Sequence, residues 1–483
     1  MFIRIARRIA PILALAALAV SLSWLPSAAA SNGNFPGGFV EKCTSGEVRP
    51  KLTGSALRSL VPARGGFTFP APWNTEAVRI TTTSDCSGDD CVIPVGYSYW
   101  RNMNNHTGSD TMLIFLGLGA GHGGPSLFSY NKITDVVTPK GPLFDSSNPL
   151  SGATGEGWYF SATMPHALYV NSGSRLYRYD VVAKKMSQVY DAASQFGGGI
   201  YIWQMHSSDD DRMHVATVRS SSSYEMMGCL AYNEPIRRFS WYPARGRLDE
   251  CHVDKAGRYM VMLDNVDGAN GEDNRIIDLV SGRETVVMDE QGAAGHADTG
   301  YGYIVNEDNW NSEPGAVVVR SLGTLTSRIV YHTSDWGLDV GHIAHGNAHD
   351  GGPESQFACS SNATHGDMAR GNEIVCFRLD GSMDVLVVAP VMTDMSASGG
   401  GDDYSKTPKG NLDVTGQYML WTSNMGGSRV DAFVVKIPVH RLMGGSTVAS
   451  GPSGFSKKKR LTIREAMAEA MSRRRITSRQ NRN

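Results

Sequence analysis

The sequence predicts an all-β protein, a seven-bladed β-propeller whose ring is closed by an N-terminal strand, and three patterns predict it. First, apolar segments of one kind begin near Met112, Ala167, Met213, Tyr259, Tyr303, Phe357 and Tyr418, at intervals of 55, 46, 46, 44, 54 and 61 residues. Seven repeats of this length correspond to seven blades. Second, each segment is followed by another strand-like run: Ser126–Tyr130, Arg175–Asp180, Gly228–Tyr232, Asn274–Asp278, Ala316–Arg320, Glu373–Arg378 and Asp431–Lys436. Several then add a turn and one more strand, as in Ser281–Met288 and Asp380–Val388. Four short antiparallel strands per repeat, with little helical periodicity, describe a propeller blade. A β-sandwich does not repeat at this period, and a β-helix coil is far shorter. Third, His206, His252, His296 and Asn411 precede by six residues Arg212, Arg258, Gly302 and Gln417, each the residue just ahead of such a segment, and His349 precedes Gln356 by seven. In three of the five the gap holds an acidic residue and a glycine, as in His252-Val-Asp-Lys-Ala-Gly257, which reads as a tight turn between strands.

The elements follow in order along the chain. Arg4, Arg7 and Arg8, an apolar run from Ile9 to Leu25 and the small residues before Ser31 predict a cleaved export signal over 1–30, and hence a secreted or periplasmic protein. No later stretch is long and apolar enough to span a membrane. Residues 31–92 form an N-terminal segment, 93–440 the propeller and 441–483 a basic tail. The last repeat runs out into Gly/Ser-rich sequence after Pro438 without a fourth strand, so the missing strand must come from the other chain end, and Ala77–Thr83 is the best candidate. Tail residues Lys457–Arg460 and Arg473–Arg475 flank apolar positions of a short amphipathic helix suited to an anionic surface, although a solvated extension also fits.

Seven cysteines in an exported chain are expected to pair where geometry allows. Cys86 with Cys91, Cys229 with Cys251 and Cys359 with Cys376 are compatible with the blades and leave Cys43 over, but spacing alone does not settle connectivity. Between the signal and the tail, residues 31–450 hold 32 basic and 45 acidic side chains, so the propeller body is strongly acidic. No nucleic-acid partner is expected, and neither a nucleophile elbow nor a distinctive carboxylate pair supports a hydrolase.

The innermost strand of each blade lines the central channel. His206, His252, His296, His349 and Asn411, from consecutive repeats, are therefore expected to converge on one axis, where imidazoles hold a divalent metal or exchange protons near neutral pH. The bland alternative is a scaffold role, each histidine bonding the neighbouring blade. His345 and His342 share a His-dense loop with His349, and one of the three is expected to face the channel; His122, in Gly-Ala-Gly-His-Gly-Gly, falls in a connection on the same face.

The His-headed turns, the paired strands after them and Gly410-Asn-Leu-Asp-Val-Thr-Gly-Gln-Tyr-Met-Leu-Trp-Thr-Ser-Asn424 resemble, over about residues 90–440, exported propellers of the oligogalacturonate lyase and ulvan lyase kind, and more loosely TolB-type repeats. In oligogalacturonate lyases the channel holds manganese bound by His and Gln, and ulvan lyases use His, Tyr and Arg. The resemblance implies a divalent metal (Mn, Ca or Zn) on His252, His296 and His349, with Asn411 where another amide or imidazole is expected; no Gln of this chain matches a ligating position. It implies β-elimination from a uronic acid unit of an anionic polysaccharide or oligosaccharide. His252 or His296 would be the base, Arg258 or Tyr404 the charge or proton partner, and His122, His206, His345 and Asn411 substrate contacts. The competing reading is an exported propeller that binds a protein or glycan at the channel mouth and catalyses nothing.

Overall fold

Hydrogen bonding sorts the strands into seven antiparallel sheets, one per repeat, arranged as a seven-bladed propeller. The computed structural model describes residues 34–444, apart from 87–89, 93–95, 107, 120–122, 154, 270, 309–311, 333–340 and 346–351. The expected export signal and most of the basic tail lie outside the described residues. From blade 1 to blade 7 the inner strands are Met103–Asn104, Tyr159–Phe160, Ile200–Ser207, Arg247–Val253, Ala294–Thr299, His342–Ala344 and Asn411–Leu412. All seven predicted apolar segments are second strands, from Thr111–Gly117 in blade 1 to Tyr418–Ser423 in blade 7.

These middle strands read as unbroken apolar runs because both of their faces are covered by neighbouring blades. Tyr418–Ser423 and Asp431–Lys436 are buried at every position. The core is accordingly a set of layers between blades: Val215, Cys229 and Ala231 of blade 3 pack on Cys251, Met260 and Met262 of blade 4. Three disulfides form, Cys86–Cys91, Cys229–Cys251 and Cys359–Cys376, the second tying blade 3 to blade 4, and Cys43 is buried and free.

The ring closes as the sequence requires. Glu76–Arg79 pairs antiparallel with Asp431–Lys436, setting Ala77 opposite Val435 and Val78 opposite Val434. The strand is shorter than Ala77–Thr83 because the chain turns away after Ile80, where Thr81 Oγ1 caps Asp431 at 2.7 Å instead of continuing the ladder. Two further additions were not legible in the sequence. Gly65–Thr68 extends blade 7, and Phe39–Lys42 lies along the outer edge of blade 6, held by Arg370 and Arg49 against Glu41 and by Arg49 on Glu373.

Turn aspartates join neighbouring blades. Asp254 accepts from the N–H groups of Arg258 and Tyr259 across its own hairpin (both 2.7 Å) and from Gly302 N–H of blade 5 at 2.9 Å. Asp413 accepts from Gln417 and Tyr418 N–H at 2.8 and 2.7 Å and from Asn105 Nδ2 of blade 1 at 2.8 Å, so it spans the closure. Asp413 is fully buried. Asp413→Ala orphans several buried donors at once, and we expect a loss of about 3–5 kcal/mol in denaturant unfolding. A loss below about 1 kcal/mol, within the range of an ordinary surface change, would refute this role.

Candidate functional site

His206 and His252 sit near the ends of their inner strands, whereas His296 and His342 lie near the starts of theirs. His206 pairs with Val215, His252 with Val261 and Asn411 with Leu420, each partner being the third residue of the next strand. In blade 5 that address belongs to Asp298, opposite Val305, not to His296. Six residues separate Val253 from its partner Met260, but only four separate Thr299 from Ile304. The shorter hairpin slides His296 two positions back along the strand, into a break of the pairing between Ala294 and Ala297. Asp298 correspondingly serves no hairpin turn; it accepts from the N–H of His345 at 2.6 Å. In blade 6 Ala344 holds the address and His342 lies two residues before it.

In blades 3, 4 and 5 the pairing of the inner strand breaks register at a bulge: between Trp203 and Met205, between Leu248 and Cys251, and between Ala294 and Ala297. Bulges re-aim side chains. Here the displaced residues are Gln204, which adopts a left-handed φ of 40°, Asp249 with Glu250, and His296. No alternation pattern announces these positions.

The rings form a continuous chain of contacts around the channel. His206 and His252 lie 4.3 Å apart, centroid to centroid, and Tyr99 packs on both at 4.9 and 4.7 Å. Tyr97 stacks on Tyr99 at 5.4 Å and touches His342 at 5.5 Å, and His342 lies 4.7 Å from His296. The connection that carries Tyr97-Ser-Tyr-Trp100 into blade 1 is thus a strap across the channel, with Trp100 buried behind it. Its density of aromatic residues was the available sequence signal.

Glu250 is the anion of the cluster. Its carboxylate accepts from His252 Nε2 at 2.9 Å and from the Tyr99 hydroxyl at 2.5 Å. Burial works against both charges, yet their mutual attraction prevails, so His252 is raised above the usual imidazole range and Glu250 is lowered. His206, by contrast, is held neutral by burial and by the neighbouring His252, Arg101 and Lys255, and its Nε2 has no hydrogen-bond partner. His206, Glu250 and His252 offer ligand atoms within 4.8 Å of one another. Two imidazoles and a carboxylate are a donor set for a divalent transition metal, and the unpartnered Nε2 fits a ligand role. Beneath this group, Arg101, Lys255, Asp298, Ser207 and His206 line a cavity with about 20 Å³ open to water centres, room for a single water.

His296 and His342 form a second, neutral pair. Burial lowers both; His342 is pushed down further by His296 and Lys409, and neither of its ring nitrogens has a hydrogen-bond partner. At the mouth, Tyr404 is half exposed and shares a hydrogen bond of 2.5 Å with Tyr97. Lys409 Nζ lies 3.9 Å from the Tyr404 ring centroid. Burial lowers Lys409 to about 8 despite the nearby Asp402. Glu272 is raised to about 7 by burial and by Asp249 and Glu250.

The structure therefore gathers His206, His252, His296 and Tyr404 around one channel and adds Glu250, His342, Tyr97, Tyr99 and Lys409. It does not bring in Arg258, which sits exposed on the blade 4 hairpin, paired with Asp278 at 2.9 Å and stacked over Tyr259. His345 is buried and bonds the Tyr303 hydroxyl at 2.6 Å through Nε2, and Asn411 is buried against Asn102 at 3.2 Å. His122 and His349 lie outside the described residues.

The chain thus has a seven-bladed propeller fold with histidines gathered in its channel. Along 82% of its length it overlays an oligogalacturonate lyase in complex with manganese (TM-score 0.56, 13% identity, 98% of that chain). An oligogalacturonate lyase from Vibrio parahaemolyticus overlays the same share (TM-score 0.54, 10% identity, 99% of that chain). No family model matches the sequence, and neither does any curated protein.

Proposed function

We propose that the chain is an exported polysaccharide lyase that cleaves a uronate-containing glycan by β-elimination in its channel. The observation that carries this reading is the pairing, in one channel, of the His206–Glu250–His252 group with the neutral His296–His342 pair. Export is supported by the three disulfides and by the leader-like N-terminus. The fold is shared with enzymes of that kind at low identity, which supports the architecture and leaves the chemistry to these residues.

His206, Glu250 and His252 would hold a divalent metal, in place of the proton that His252 and Glu250 share. When bound, such an ion supplies a charge that acidifies the carbon next to a uronate carboxylate. Lys409 lies beside the neutral histidines, at the entrance where Arg258 is absent, and adds a second positive charge for that carboxylate. His296 or His342, neutral at pH 7, takes the C5 proton. The C5–H electrons form the C4–C5 double bond as the C4–O bond breaks. The departing oxygen receives a proton from the Tyr404–Tyr97 pair, whose hydroxyls burial holds above the usual phenol range and therefore protonated. Tyrosine acts here as the acid rather than the base.

The Lys409 assignment has a pH signature. Lys409 is charged below about 8 and neutral above it, so kcat/KM is expected to fall as pH rises through that value. Lys409→Arg, which stays charged, should move the limb to higher pH. An unchanged limb in that variant excludes Lys409 as its origin. The function itself is tested by ultraviolet absorbance of unsaturated products on a panel of uronate-containing glycans; a folded, metal-loaded chain silent across the panel argues for a binding propeller instead.

A further inference from the structure

Beside the histidine cluster, blade 3 carries an aromatic surface to which the elimination chemistry gives no task. Tyr201 and Trp203 stand on the first half of the inner strand, Trp203 three residues before His206, or about 10 Å along the chain. Tyr224 comes from the connection between the second and third strands of the same blade, which lies at the same end as the inner-strand start. Tyr201 contacts Trp203 at 6.3 Å and Tyr224 at 6.2 Å, both edge to face. Tyr224 is 68% exposed and holds a left-handed φ of 61°, a conformation unfavourable for a tyrosine, so no packing need explains an aromatic residue there.

Two polar atoms of blade 3 lack partners, one of them on a side chain beside the Trp203 ring. The Arg219 guanidinium lies 5.0 Å from the Trp203 centroid, and its Nε is shielded from water without a hydrogen bond. Gln204, the bulged residue next to Trp203, has its Oε1 in the same condition. Flat rings with a guanidinium beside them match a pyranose, whose C–H face is apolar and whose rim hydroxyls accept from such a donor. The surrounding charge argues against an acidic sugar at this position. Glu156 and Asp249 both lie close enough to Arg219 to feel its charge, and Glu250 is near each of them.

We propose that Tyr201, Trp203 and Tyr224, with Arg219, form a subsite for an uncharged pyranose, so that the glycan alternates uronate with neutral sugars instead of being a homopolyuronate. The proposal rests on the lyase reading for its glycan, but the subsite is testable without it. Titration calorimetry of the full chain with neutral xylo-, manno- and cello-oligosaccharides should show binding of at least one. Trp203→Ala should weaken it at least about tenfold, and Trp203→Phe should largely retain it. On a galacturonate–rhamnose alternating glycan, Trp203→Ala should raise KM about tenfold with kcat nearly unchanged. Tyr224→Ala, at an exposed position where folding is not at stake, should act in the same direction. Absence of neutral-sugar binding, or wild-type binding in both alanine variants, overturns the subsite. Binding through Trp203 with no glycan cleaved upholds the subsite and removes the lyase reading. Cleavage of the alternating glycan with a KM indifferent to Trp203 does the reverse.

Discussion

His252→Asn is expected to abolish elimination while leaving the propeller folded. His252 gives Glu250 its buried partner and, with His206, the only pair of imidazoles that shares a carboxylate among the described metal-competent groups. Asparagine still directs an N–H toward Glu250, which limits the penalty of an unpaired buried charge, whereas alanine leaves that carboxylate with Tyr99 alone. Loss of both a ligand and the polarised imidazole should lower kcat/KM by roughly 10³-fold or more, and bound metal should fall in parallel. Elemental analysis separates the two effects. His296→Ala should lose activity with metal retained, because His296 belongs to the other pair. A His252→Asn protein with wild-type turnover on a verified substrate removes the channel from the chemistry.

Deleting residues up to Ile80 should unfold the whole propeller, not merely its seventh blade. The deletion strips the strand that pairs with Asp431–Lys436 and exposes an edge of wholly buried residues, including Phe433, Val434 and Val435. Phe69, Trp73, Val78 and Ile80 are themselves buried to within a few per cent. Their burial is worth together roughly 6–12 kcal/mol, which matches the entire stability of a typical domain. The Arg79–Asp431 ion pair, 2.6 Å long with a fully buried acid, is lost as well. Circular dichroism and denaturant unfolding of the truncated chain should show no cooperative transition near the wild-type midpoint. A single transition at that midpoint would mean that closure lies elsewhere.

The blades were legible because their middle strands are covered on both faces, which forces long apolar runs such as Ala316–Arg320 at a repeating interval. The closing strand was legible for a similar reason, since a missing partner is visible as a deficit at the other terminus. The site was read only in part. His206 and His252 share a register address, so spacing found them. Asp298 at the same address was mistaken for a turn residue because a hairpin shortened by two residues leaves the sequence spacing to the next strand unchanged. Glu250 and Gln204 depend on bulges, which have no periodic signature. Tyr97 and Tyr99 act on side chains more than a hundred residues away, and nothing local to them indicates where the strap lands.

The strap has one more implication. It lies between the segment that completes the wheel and the first inner strand, and it reaches side chains of blades 3, 4 and 6 together. A chain still emerging in sequence order carries Tyr99 long before it carries His252 or His342, so the roof of the channel can be laid only after the sixth blade has been made. Under the proposed elimination, turnover then reports on the completion of that roof.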